Sequence, residues 1–148
     1  MTIERSAATD EAQLRSLIDE RIRAIHEKDV EGLMAHHASD ALTFDALDPL
    51  QYAGAEAVKE RARQWFSWYQ SPINYEVRDL KITTNGALAF CYYLYWISGT
   101  MKNQKKVEMW LRATLCFRKL EGEWMVTHEH TSVPFDAESG KASLDIEP

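Results

Sequence analysis

Apolar residues recur every three or four positions in the first half of the chain and every second position in the rest. That change of period divides the molecule into helices followed by strands. Leu14, Leu17, Ile18, Ile22 and Ile25 fall on one stripe of a helix expected over 10–28, with Asp10 as N-cap and Gln13 placed to complete a capping box. Arg21 lies on the same stripe, an unusual place for a charge. A short second helix is expected over 30–37, capped by Asp29, and a strand then delivers Asp45 into a loop. After Gly54 a third helix should reach Tyr69, with Val58, Ala62, Trp65, Phe66 and Tyr69 on one face, before Ser71-Pro72 breaks it.

From residue 73 the period is two. A strand over 73–83 is closed by Asn85-Gly86, the strongest hairpin signal in the chain. The stretch 87–98 is apolar at both parities, which predicts a central strand covered on both faces. Over 107–117 the alternation is clean: Val107, Met109, Leu111, Ala113, Leu115 and Phe117 oppose Glu108, Trp110, Arg112 and Thr114. Glu121-Gly122 turns the chain into a last strand over 123–133, where strict alternation sets Trp124, Val126, His128 and His130 against Met125, Thr127, Glu129 and Thr131. Helices first and an antiparallel meander afterwards is an α+β arrangement, a curved sheet wrapped on N-terminal helices.

Length and composition narrow the field. With 148 residues, one domain spanning 1–148 can bury a real core, with flexible ends expected at 1–8 and 137–148. The longest apolar run, ALAFCYYLYWI, is too short to span a bilayer, and the first residues lack the apolar centre of a secretory signal, so no membrane association and a cytoplasmic location are expected. Net charge is −6, and no dense cluster of Lys and Arg appears, which argues against nucleic acid as a partner. Cys91 and Cys116 have no metal-ligand spacing and read as buried thiols. His128 and His130 alternate as strand-borne ligands would, but no third ligand stands at a recognisable spacing, so no metal is expected.

Two motifs carry a resemblance. Asp40, Ala41, Asp45 and Gly54 follow a helix pair at the spacing found in the ketosteroid isomerase-like, nuclear transport factor 2-like (NTF2-like) and SnoaL-like superfamily. The ending built from Gly122, Trp124, His128, His130, Ser132 and Pro134 is similar to that of SnoaL-like proteins and of calmodulin-dependent kinase association domains. The resemblance implies a cystatin-like, NTF2-like cone with a pocket inside, no cofactor, and a homodimer through the outer face of the sheet. It also places Asp45 at the position of the proton-shuttling base of the true isomerases.

The departures matter as much. Where the isomerases carry a catalytic tyrosine on the first helix this chain has Arg21, and the second acidic donor of the penultimate strand is replaced by about Leu115. True ketosteroid isomerisation, which needs those donors for the dienolate oxygen, is therefore not expected. A guanidinium facing an apolar interior needs a partner, with Asp45 or Glu129 as the natural choices; the alternative is that Arg21 snorkels outward. The expected site has Asp45, Glu129 and, if a bulge exchanges the faces of the last strand, His130 for acid–base work. Arg21, Tyr52, Trp65, Phe66, Tyr93, Met109, Leu115 and Thr131 would contact a small-molecule ligand. Two function classes stay open: an isomerase, cyclase, dehydratase or hydrolase working by proton transfer on a small organic substrate, or a non-catalytic ligand-binding or dimeric assembly module.

Overall fold

A computed structural model of the protein describes the backbone of residues 3–148 and the side chains from residue 7 onward. The expected flexible stretch 1–8 therefore lies partly outside the described residues. Helix α1 (Ile3–Glu27) starts before Asp10, because Asp10 is not a cap. Its carboxylate instead accepts from Lys119 Nζ at 2.7 Å and Trp124 Nε1 at 3.3 Å, and so ties the helix to the far end of the sheet. Leu14, Ile18 and Ile25 are fully buried along the stripe, each stabilising the fold by ~1.5–3 kcal/mol.

Helix α2 (Val30–Met34) is capped by Asp29, whose carboxylate accepts from the Gly32 amide at 3.0 Å. It stops short of the expected end, and His37 opens strand β1 (His37–Phe44) with its Nδ1 3.1 Å from the Leu33 carbonyl oxygen. After the Asp45 loop come β2 (Tyr52–Ala53) and helix α3 (Ala55–Ser67), which buries Val58, Ala62 and Phe66. Gly54 precedes α3 at φ +91, a conformation that favours glycine.

Strands β3 (Asn74–Asn85), β4 (Leu88–Thr100), β5 (Lys106–Leu120) and β6 (Glu123–Ser132) form the antiparallel meander, and β1 joins β6 in parallel. The sheet order is β2-β1-β6-β5-β4-β3, so β6 is an inner strand flanked by β1 and β5. One face of the sheet packs on the helices. The other is open, and for that reason β4 is not covered on both sides: Leu88, Phe90 and Tyr92 are 60%, 42% and 46% exposed.

Strict alternation also fails in β6. Phe117 pairs with Val126 and Cys116 with His128, so Thr127 is an extra residue in a bulge. Trp124 and Val126 consequently face the core, on the same side as Glu129, while His128 and His130 face outward. The expected grouping of Trp124 and Val126 with the two histidines is wrong because the strand changes phase between them.

Candidate functional site

Two clusters of charged and aromatic side chains are built on the concave side of the sheet and at its edge. In the first, α1 carries Arg21 inward against Glu129 of β6, and the guanidinium Nη2 donates to the Glu129 carboxylate. Each residue is only 9% exposed. Burial opposes the Arg21 charge, but the Glu129 carboxylate overrides it and holds the guanidinium above its ordinary pKa. Among the described residues Arg21 Nε is buried and has no hydrogen-bond acceptor.

Tyr75, Tyr93 and Tyr95 complete this cluster. The Tyr75 and Tyr93 hydroxyls share a hydrogen bond of 2.8 Å, and the Tyr75 and Tyr95 rings stack with centroids 4.5 Å apart. Burial pushes Tyr93 up to about 12 and Tyr75 and Tyr95 well above their ordinary value. All three are therefore neutral hydroxyls, able to donate. His37 borders the cluster, and burial together with the Arg21 charge pushes its imidazole down to about 3.

The second cluster surrounds Asp45, the first residue after β1. Its Oδ1 accepts from the Leu47 amide at 3.1 Å, closing an Asx turn. Its Oδ2 accepts from Arg61 Nε of α3 at 3.2 Å. Arg61 is held between aromatic rings, 5.0 Å from the Trp68 centroid and 5.8 Å from that of Tyr52. Thr131 Oγ1 accepts from the Ala46 amide at 3.1 Å, so β6 fixes the loop that presents Asp45. The two clusters are in electrostatic reach of each other, since Tyr95 is raised first by burial and then by Glu129, Tyr93 and Asp45.

The expected site residues thus divide. Arg21, Glu129 and Tyr93 meet in the first cluster; Asp45, Tyr52 and Thr131 meet in the second. Phe66 and Leu115 are buried in the core, and Trp65 and Met109 pack against it half-buried. Trp65 lies over Phe66 with centroids 5.2 Å apart. His130 belongs with neither cluster: it is exposed on the outer face, edge-on to Phe44 at 5.5 Å, because the bulge falls before it rather than after. The reserve acid–base role assigned to it has no geometric basis. Arg61, Trp68 and Tyr75 were missed. The signal for the first two was the i, i+3, i+7 spacing of Arg61, Gln64 and Trp68, which puts them on one side of a helix; for Tyr75 it was the shared parity with Ile73.

Among the described residues no group of three or more His, Cys, Asp or Glu could hold a metal ion. A groove of about 720 Å³ runs along α3 beside β2, lined by Tyr52, Ala57, Glu60, Arg61, Arg63, Gln64 and Ser67.

This architecture and its sequence match known proteins. A model of the SnoaL-like domain matches residues 14–136. The chain belongs to the SnoaL-like family. An NTF2-like protein of unknown function from Pseudomonas putida KT2440 is 31% identical, with a TM-score of 0.89 over 96% of this chain and 99% of that one. A ketosteroid isomerase-like protein from Erwinia carotovora atroseptica SCRI1043 is similar in fold at 18% identity, with a TM-score of 0.71 over 82% of this chain and 93% of the other. An NTF2-like superfamily protein from Salmonella enterica serovar Typhimurium LT2 has a TM-score of 0.78 at 14% identity, over 92% and 99% of the two chains. No match was found among curated proteins. The α+β cone of this SnoaL-like chain is the NTF2-like, cystatin-like fold.

Proposed function

We propose that this SnoaL-like protein transfers a proton on a small, largely apolar organic substrate without a cofactor, with Asp45 as the acid–base group. The observation that carries the reading is the buried guanidinium of Arg21 with its unpartnered Nε, set among neutral tyrosine hydroxyls. An unsatisfied buried donor costs about 1–3 kcal/mol, which a substrate oxygen would recover. A carbonyl or enol oxygen placed there would meet a fixed positive charge where negative charge develops, the arrangement that stabilises an enolate. Asp45 then moves the proton, and Glu129 keeps Arg21 charged and aimed. Isomerisation, dehydration and cyclisation through an enolate all fit this division of labour; hydrolysis fits it less directly.

The test needs no knowledge of the natural substrate. In deuterium oxide the protein is incubated with 2-tetralone, a planar ketone with acidic α-protons, and exchange is followed by NMR. The expected result is exchange faster than in buffer, reduced about 100-fold in Asp45→Asn with the fold intact. Exchange unchanged in that variant would move the chemistry away from Asp45.

A second reading rests on a different observation. Both carboxylates are engaged in ion pairs, and the open sheet face carries Phe90, Tyr92 and the Trp96–Trp110 ring pair with centroids 5.7 Å apart. That composition suits an interface, and it supports a homodimer formed through this face, as an assembly module or as the scaffold of the enzyme.

A further inference from the structure

We propose that the groove along α3 is a separate binding site for a small aromatic carboxylate, and that its occupant competes with Asp45 for Arg61. The proposal does not depend on turnover. Arg61 lines the groove, and its side chain is only 9% exposed. Its Nε donates to Asp45 and its Nη1 to Gln64 Oε1 at 3.3 Å, while Nη2 makes no hydrogen bond among the described residues. The Trp68 and Tyr52 rings fix the guanidinium plane, so a carboxylate approaching along the groove meets a positioned Nη2 donor rather than a mobile side chain.

The other lining residues define the class of ligand. Gln64, whose Oε1 accepts from Nη1, brings an amide NH2 to the groove lining as a second donor, and Tyr52 and Ala57 offer an apolar wall for a ring. Arg63 adds positive charge, partly offset by its 2.9 Å pair with Glu60. A net charge of −6 repels anions from the molecule as a whole, so a site for one must be local, and this groove carries two arginines against one glutamate. A neutral ligand would leave the Nη2 edge without its ionic partner. A dianion would face Asp45 and Glu60 at once.

Asp45 gives the site its distinguishing property. Its carboxylate accepts from Nε of the same guanidinium at 3.2 Å, next to the Nη2 that the ligand would meet. An incoming carboxylate must share the positive charge with it and is repelled by it. Replacing Asp45 by Asn removes that competitor and should tighten binding about fivefold, the effect of one unit charge a few ångström away in a partly solvated setting.

Isothermal titration calorimetry with benzoate reads the site directly, with benzamide as the neutral control. Wild type should bind benzoate with a millimolar Kd and benzamide at least tenfold more weakly. Ser67→Trp, which fills the groove from an exposed position, should weaken benzoate at least tenfold, and Asp45→Asn should tighten it. Equal affinity for benzamide, no tightening in Asp45→Asn, or indifference to Ser67→Trp would each overturn the proposal. Benzoate binding lost in Arg21→Met but not in Ser67→Trp would place it in the interior cluster and overturn it also. Ketone exchange by the wild type is scored independently, so failure of either proposal leaves the other standing or falling on its own data.

Discussion

Arg21→Met is the substitution whose outcome the structure fixes most closely. Methionine keeps most of the length and apolar bulk of the side chain but leaves the Glu129 carboxyl buried at 9% exposure without its cation. Breaking a buried pair from one side costs about 3–5 kcal/mol. The carboxyl can evade much of this by taking up a proton, and that gives the prediction its sign. A glutamate in the unfolded chain releases its proton near pH 4.3. In the variant the folded state would keep the proton above that pH, so folded protein binds more protons than unfolded and stability falls as pH rises, by about 1.4 kcal/mol per unit. The variant should match wild type near pH 4 and trail it by about 3 kcal/mol at pH 7. With a urea m-value of about 1.5 kcal/mol/M for a domain of this size, the midpoint at pH 7 moves down by about 2 M. Urea titrations at several pH values measure this, and Arg21→Met/Glu129→Met should recover most of the loss by removing the stranded charge. A single variant within 1 kcal/mol of wild type at pH 7, with no added pH dependence, would refute the burial argument.

Three further outcomes follow from the packing. His37 is held near a pKa of about 3 by burial, so below its unfolded value of about 6.5 the unfolded chain binds a proton that the fold excludes; stability should fall as pH drops from about 6.5 toward 3, and His37→Leu should flatten that limb in thermal melts. Gly99→Ala would bring a Cβ to 2.9 Å from Tyr69 Cδ2, and overpacking against this buried ring should cost about 1–3 kcal/mol in urea denaturation. Tyr92→Glu, on the open sheet face, should give a monomer by light scattering while the thermal midpoint of the protomer changes little; an unchanged dimer would exclude that face as the interface.

Local signals in the sequence were sufficient for the elements themselves. Asn85-Gly86 and Glu121-Gly122 made their turns, with Gly86 and Gly122 at positive φ, and the alternation of β5 held along its whole inward face. What escaped was decided at long range. Asp10 looked like a cap because Gln13 followed it, but the donors that claim its carboxylate come from Lys119 and Trp124, distant in the chain. For Arg21 the sequence offers Asp45 and Glu129 alike as partners, and its apolar stripes offer no cation for Asp45 other than Arg21. The choice of Glu129 for the one and Arg61 for the other depends on how α1 and α3 sit over the sheet, and periodicity carries no information about that. The two-sided apolar pattern of β4 correctly marked an inner strand of the sheet but not that one of its faces lies open.

The extra residue at Thr127 makes β6 two strands in one. Before it, Trp124 and Val126 belong to the packing that locks α1 to the sheet; after it, Glu129 and Thr131 belong to the candidate site, one pairing with Arg21 and the other fixing the Asp45 loop. Substitutions past the bulge therefore act on the candidate site without loosening the anchor ahead of it. Deleting Thr127 would couple the two jobs again, by turning His128 and His130 inward and expelling the carboxylate that Arg21 needs.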